Sequence, residues 1–254
     1  MNIVSFDLEG DFAAFRDPSV TTNQTICVIP SKSAVMGLIG AIIGVDRSNS
    51  LDELYCKDYL NLLKSTLIGI KVRSQPNKFA FFTNHRSLKE KKMKPFKTEL
   101  LVSPRYTIFV KSIDEIMKTL LDVLESRNFK YSPTLGHSYC LARIPSYKMH
   151  QAKAVKPEDM IVSTVILDEV METVNKYGAF MLQSVGDHTR LVIERHLHHY
   201  FEGDKLERRV LRHLIPVPTE GSEPQIGIES IRSPLSLAKF FEIDGLAGKG
   251  VCLY

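Results

Sequence analysis

The order in which hydrophobic periodicity changes over the first 145 residues constrains the fold most. "NIVSFDL" (2–8) alternates, with Val4, Phe6 and Leu8 on one face and Ile3, Ser5 and Asp7 on the other, the pattern of a half-buried strand. "PSKSAVMGLIGAIIGV" reads as a helix capped by Ser31 or Ser33 after Pro30. Gly37, Gly40 and Gly44 share one of its faces and are expected to let its backbone approach a sheet. A weaker helical segment (51–64) and a strand (65–74) follow. A third strand is predicted at 105–111, then the clearest amphipathic helix, "SIDEIMKTLLDVLESR" (112–127). Ser112 is placed as its cap, and Ile113, Ile116, Met117, Leu120, Leu121 and Leu124 form its stripe. "FKYSPTLGHSYCLARI" (129–144) is a Gly/Pro turn leading into a strand. Strand, helix, strand, excursion, strand, helix, strand is the split βαβ order of a ferredoxin-like fold. The expectation is an α+β chain with a ferredoxin-like domain at 1–150. A smaller β-rich region is expected at 151–254, built from "MIVSTVIL", "GAFMLQSV" and "TRLVIERHLHHYF" and closed by a Pro/Gly-rich stretch, "IPVPTEGSEPQIG".

The excursion, about 75–97, is where composition matters. The formal net charge of +4 conceals an asymmetry. Between Lys71 and Lys97 stand nine Lys and Arg (71, 73, 78, 86, 89, 91, 92, 94 and 97) against Glu90 alone, so this segment carries about +8 and the remainder about −4. Phe79, Phe81, Phe82 and Phe96 are interleaved with the charges. Cations neutralise phosphates and aromatic faces stack on bases, so an extended hairpin or loop of this composition points to nucleic acid. The plainer alternative is a solvated loop whose phenylalanines pack on the body.

Other motifs carry less. Arg16, in the loop "EGDFAAFRDP", offers a bidentate phosphate contact or a surface ion pair. Asp7, Glu9 and Asp11 alternate, but Gly10 interrupts them and no histidine completes a metal set. Lys32 stands at a helix start whose free N–H groups suit an anion. His137, in "TLGHSYC" with Tyr139 and Tyr131 nearby, is a candidate general base for metal-free RNA cleavage or a structural turn residue. His196 and His198 share one strand face, read as facing solvent or an interface; a metal there would need a third ligand such as His188 or His213. The four cysteines, 27, 56, 140 and 252, have no CxxC spacing and read as thiols of a reducing compartment. The N-terminus reads directly as a strand and the longest apolar run, "AVMGLIGAIIGV", is too short for a bilayer. A cytoplasmic protein without metal or cofactor is expected.

Four segments together, "GDFAAFRDP", "PSKSAVMGLIGAIIG", "KPFKTELLVSPRYTIFV" and "SPTLGHSYCLA", resemble the Cas-five family, the RAMP proteins at the foot of type I CRISPR Cascade complexes, over about residues 3–145. The resemblance implies a ferredoxin-like domain with a thumb hairpin at the basic excursion. It also implies an RNA-binding subunit holding the 5′ handle of the crRNA, packed against backbone and large subunits in antiviral defence, with target DNA met only through the complex. It places Arg16 and Lys32 beside RNA. With the excursion they give the expected contact set: Arg16, Lys32, Arg73, Lys78, Arg86, Lys89, Lys91, Lys92, Lys94, Lys97, Arg105 and His137. In the type I-C branch the family member cleaves precursor crRNA with a Tyr and an adjacent Lys-His pair. This sequence has no Lys-His dipeptide, so the style is closest to type I-B. A non-catalytic role is expected, with a metal-independent endoribonuclease as the alternative. The first strand's Ile3–Ser5–Asp7 face, expected to be exposed, lacks the aromatics of a base-stacking sheet, so contacts should run through loops, helix terminus and thumb.

Overall fold

The computed structural model describes residues 1–20, 23–50, 52–86, 92–156, 158–168, 180–219, 222–231, 237–243 and 249–254. The first half contains β1 (Asn2–Gly10), β2 (Phe12–Ala13), α1 (Lys32–Ile43), α2 (Lys57–Ser65), β3 (Leu67–Val72), β4 (Asn77–Arg86), β5 (Met93–Val102), β6 (Arg105–Lys111) and α3 (Asp114–Ser126). It continues through β7 (Ala142–Arg143), β8 (Tyr147–Val155), β9 (Met160–Val162), β10 (Ile166–Asp168) and β11 (Phe180–Val185). The chain then completes β12 (Thr189–Glu202), β13 (Lys205–Pro218), β14 (Ile226–Ile231), β15 (Lys239–Ile243) and β16 (Lys249–Leu253). The protein is α+β with strand predominating.

The central four strands lie in the order β8-β1-β6-β3, each pairing antiparallel. On one face Val4, Phe6 and Leu8 of β1 pack with Val35, Ile39 and Ile42 of α1 and Leu120 and Leu124 of α3. Ser31 caps α1 as expected, accepting from the Ala34 N–H at 3.3 Å. The glycine face does something other than meet a sheet. Gly44 is the left-handed C-cap, Gly40 lies against the Val45 carbonyl of the chain's own return, and Gly37 borders open space. Helix α3 starts later than expected: Ile113 is the N-cap, without a side-chain bond, and the Ser112 hydroxyl lies instead with those of Ser65 and Thr66.

The opposite face of β1 is not exposed. Ile3 is fully buried with Phe109, Ala152, Phe241, Ile243, Val251 and Leu253 in a second apolar cluster. The reason is closure of the sheet. Strand β8 pairs with β1 on one side and β15 on the other, β15 pairs with β16, and just past β16 Tyr254 exchanges two backbone hydrogen bonds with Ile68 of β3, at 3.0 and 2.9 Å. The path β3-β6-β1-β8-β15-β16 therefore returns to β3 around its own core. Gly69 permits the seam: a Cβ there would stand 2.6 Å from Leu253 and 2.7 Å from the Cys252 carbonyl. Residue 150, the expected boundary, falls inside β8, so one sheet serves both regions.

The C-terminal region adds a long hairpin, β12–β13, joined to β10 in a separate three-stranded sheet. The Pro/Gly-rich stretch expected to close this region supplies the last four residues of β13, Ile215–Pro218, and from Ile226 the start of β14. Pro216 and Pro218 are tolerated because β10 pairs with Arg212–Leu214 and, among the described residues, no strand pairs with that edge of β13 beyond it, so a missing N–H costs nothing there. His196 and His198, expected on a solvent or interface face, are buried, because this hairpin packs its histidine face inward against Tyr254.

Candidate nucleic-acid interface

The basic excursion forms the β4–β5 hairpin, paired from Asn77↔Val102 to Arg86↔Met93. Alternation decides its faces. Phe81 is half-buried and its partner Thr98 buried, whereas Phe82 on the opposite face is 74% exposed; Phe79, on the Phe81 face, stacks on it and is 52% exposed. Toward the tip every described residue from His85 to Arg86 and from Lys92 to Pro95 is exposed. Its base is anchored: Val102 and Leu101 pair with β2, and Gln24 bonds the Lys97 carbonyl and the Glu99 N–H, both at 2.9 Å.

The expected contact residues separate into groups. Arg86, Lys92 and Lys94 stand exposed near the hairpin tip; Lys89 and Lys91 lie outside the described residues. Lys78 is committed to the fold, donating to the Ile26 carbonyl at 2.6 Å and so fastening the 16–28 loop to the hairpin. Lys97 pairs with Glu99 at 2.9 Å, a bond that outweighs modest burial and holds the Glu99 carboxyl below its ordinary range. Arg73 pairs with Asp7 at 2.7 Å and reaches Glu9 at 3.9 Å. Arg105 is exposed beside it at the hairpin base, where the Arg73 N–H donates to its carbonyl.

The acidic row is consumed by these partners. Burial would raise the Asp7 carboxyl, but hydroxyls of Ser146 and Thr107 and the Arg73 guanidinium outweigh it and hold the group below the usual range. Asp11 pairs with Arg143 at 2.9 Å. Lys32 departs most from expectation. It is the first residue of α1, only 8% exposed, and burial alone pulls its ammonium down to about 8. Its charge faces His198 and His199 rather than open solvent, so it does not belong to the exposed set.

Arg16 and His137 are brought together by one backbone contact. The Ala14 N–H donates to the Leu135 carbonyl at 2.9 Å, and Gly136, at φ +95°, lies so close to Ala14 that a Cβ would stand 2.1 Å from its carbonyl. The loop carrying His137 thus lies against the segment carrying Arg16. Arg16 is exposed and makes no ion pair with a described residue. His137 stacks on Tyr139, ring centroids 5.1 Å apart and planes 12° apart. No described acid or base is hydrogen-bonded to its imidazole. Tyr131 donates to Asp46 at 3.1 Å, which raises its phenol. Where Gly37 lacks a side chain, a groove opens between α1 and these loops, lined by Phe15, Pro30, Leu38, Leu135 and Gly136. The interface available to a polyanion is therefore the hairpin tip, Arg105, Arg16 and the stacked His137–Tyr139 pair.

Sequence reasoning missed a polar cluster behind the 16–28 loop. Cys27, Glu194 and His196 each direct one ligand-type atom so that all three lie within 4.8 Å of one another. Burial, followed by the charges of Glu194 and Asp17, pushes the Cys27 thiol up to about 12. Nothing in local spacing links residues 27 and 194; only the packing of β12 on the loop does so.

A family profile described as CRISPR-associated protein (Cas_Cas5) matches residues 3–219. No curated protein matches the chain. Among solved structures, a CRISPR protein from Archaeoglobus fulgidus superposes with a TM-score of 0.59 at 14% identity, covering 99% of this chain and 98% of that one. A chain from a CRISPR RNA-guided surveillance complex aligns at 14% identity over 84% of this chain and 91% of that one, with a TM-score of 0.46. At such identity the Archaeoglobus likeness bears on fold alone, whereas the profile spans most of the sequence: the chain belongs to the CRISPR-associated Cas5 family.

Proposed function

We propose that this chain is a non-catalytic RNA-binding subunit of a type I CRISPR effector complex of the Cascade kind. In this reading the β8-β1-β6-β3 strands with α1 and α3 are the ferredoxin-like core of a RAMP subunit, and β4–β5 is its thumb. The chain holds the 5′ handle of the crRNA and bridges backbone and large subunits in antiviral defence, in the cytoplasm.

The single observation that carries the proposal is the β4–β5 hairpin. Its base is fixed by pairing to β2, while its outer half presents Arg86, Lys92, Lys94 and Phe82 to solvent with no core beneath them. Burial of β1's second face removes a flat base-stacking sheet as the competing RNA surface.

The test is binding of labelled repeat RNA by the whole chain across a salt series. Replacing Arg86, Lys92 and Lys94 with Ala is expected to weaken binding and to reduce the slope of log K against log salt by about one for each phosphate no longer neutralised. Phe82→Ala is expected to weaken binding by about 1–3 kcal/mol for each base that it stacks. Unchanged affinity and slope would remove the hairpin from the interface. Site-specific cleavage of the RNA in EDTA, abolished in His137→Ala, would replace the scaffold reading with the endoribonuclease one.

A further inference from the structure

Cys27 and His196 are both buried, and Glu194 is half-buried. They come from two elements far apart in sequence: the loop between β2 and α1, and strand β12. His196 Nε2 lies 3.1 Å from a Glu194 oxygen, and both carboxylate oxygens accept from the Val28 N–H, at 2.8 and 3.0 Å. One residue of the loop thus orients the acid while its neighbour supplies the thiol. Asp17, on the same loop, lies close enough for its charge to act on both Cys27 and His196. Lys78, which tethers Ile26, is the nearby cation that faces Cys27. Two residues before Cys27, the Thr25 hydroxyl is buried without a hydrogen-bond partner among the described residues.

We infer that Cys27, Glu194 and His196 form a structural zinc site that clips the 16–28 loop to the β12–β13 hairpin. The donor set is one sulfur, one imidazole nitrogen and one carboxylate oxygen, which suits zinc better than magnesium or calcium. A thiolate, a carboxylate and a neutral imidazole together offset the dication's charge, so the buried site is neutral once the thiol proton passes to solvent. Tetrahedral zinc holds its ligand atoms about 3.5 Å apart; the His196–Glu194 pair already stands at 3.1 Å and all three atoms lie within 4.8 Å, so small side-chain shifts suffice on binding. The Val28 N–H is the outer-shell donor that such a carboxylate ligand ordinarily has. A water completes the fourth position, which keeps the site neutral. The clip acts on the loop that carries Arg16 and that joins, through Gln24 and Lys78, to the basic hairpin. It would therefore couple the two long hairpins.

The test uses the full chain without a histidine tag, stripped with a chelator and dialysed against zinc. Mass spectrometry is expected to count about one zinc per chain. Cobalt is expected to give a sulfur-to-metal charge-transfer band, and zinc to raise the melting temperature. Cys27→Ser and His196→Gln, each checked for folding by circular dichroism, are expected to weaken zinc binding by about tenfold or more and Cys27→Ser to lose the cobalt band. His85→Gln, an exposed histidine, is expected to bind as the parent chain does. No retained zinc, no thiolate band in the cobalt-loaded parent chain, or equal zinc in Cys27→Ser would each overturn the inference. The cobalt spectrum needs no variant, so the result does not depend on the variants folding. None of these readouts involves RNA, so they stand or fall apart from the function proposed above.

Discussion

The two long hairpins of this molecule are built alike and used oppositely. Both β4–β5 and β12–β13 are antiparallel, and both exceed what their flanking sheets need. In β12–β13 the strand halves nearest the core bury Leu211, His213, Leu214, Ile215 and Val217 on one strand and His196, His198 and His199 on the other. In β4 no described residue is buried, and in β5 burial begins only at Thr98. A hairpin whose inner face meets a core is held by packing. One that leaves the body is held by its base alone, and its side chains remain available to a ligand. The difference tells which basic residues stay open to a ligand and which serve architecture.

That contrast can be broken by substitution. The largest expected effect is Ile215→Ala, which removes a fully buried side chain from β13. A loss of about 3 kcal/mol is expected by chemical denaturation, with RNA affinity per folded molecule unchanged. A loss below 1 kcal/mol would mean that β13 is not packed as described.

Acid should act on the same hairpin. Burial holds His198 down to about 2 and His213 to about 3. Both bind protons more weakly folded than unfolded. Their contribution to stability is therefore complete above the unfolded value, near 6.5, and is lost as pH falls from there toward 3. The slope is expected to reach at most about 1.4 kcal/mol per pH unit for each histidine. Replacing His198 with Gln should flatten the curve between pH 6 and 4; an unchanged curve would show that these rings are hydrated.

Lys32 sharpens the comparison from the other side. It is a buried ammonium at a helix N-terminus, facing the histidines of β12. Lys32→Met is expected to raise stability by about 1–2 kcal/mol and to leave the affinity for repeat RNA intact. A loss of RNA binding without unfolding would return Lys32 to the interface. The smallest effect is expected at Phe82: its exposed ring contributes under about 0.5 kcal/mol to stability, so Phe82→Ala should change the RNA titration while leaving the denaturation curve in place.

Local chemistry was legible in the sequence. The amphipathic stripe of α3, the Ser31 cap and the span of β6 all follow from side chains within a few residues of one another. The charge block between Lys71 and Lys97 overlaps the β4–β5 hairpin, and charge and aromatic interleaving are local too. What failed depended on distant partners. Ile3 looks solvent-facing on its own strand and is buried by residues from 241 to 253. Lys32 reads as a phosphate ligand until β12 is laid over it. Lys78 and Arg73 count as free cations until Ile26 and Asp7 take them. The cysteine, glutamate and histidine near residue 27 have no sequence signature at all.

The seam between Ile68 and Tyr254 governs when the fold can be completed. The two residues stand at opposite ends of most of the chain, so the contact carries a high loop-closure cost and belongs late in folding. Until it forms, β3 presents an open edge and Gly69 offers that edge no side chain for protection. During synthesis the first half can collapse around α1 and α3 while this edge waits for residues that have not yet left the ribosome. Such an edge is a template for wrong pairing. A chain built this way has its period of greatest vulnerability before the seam forms, and the late capture of β3 by Tyr254 is what ends it.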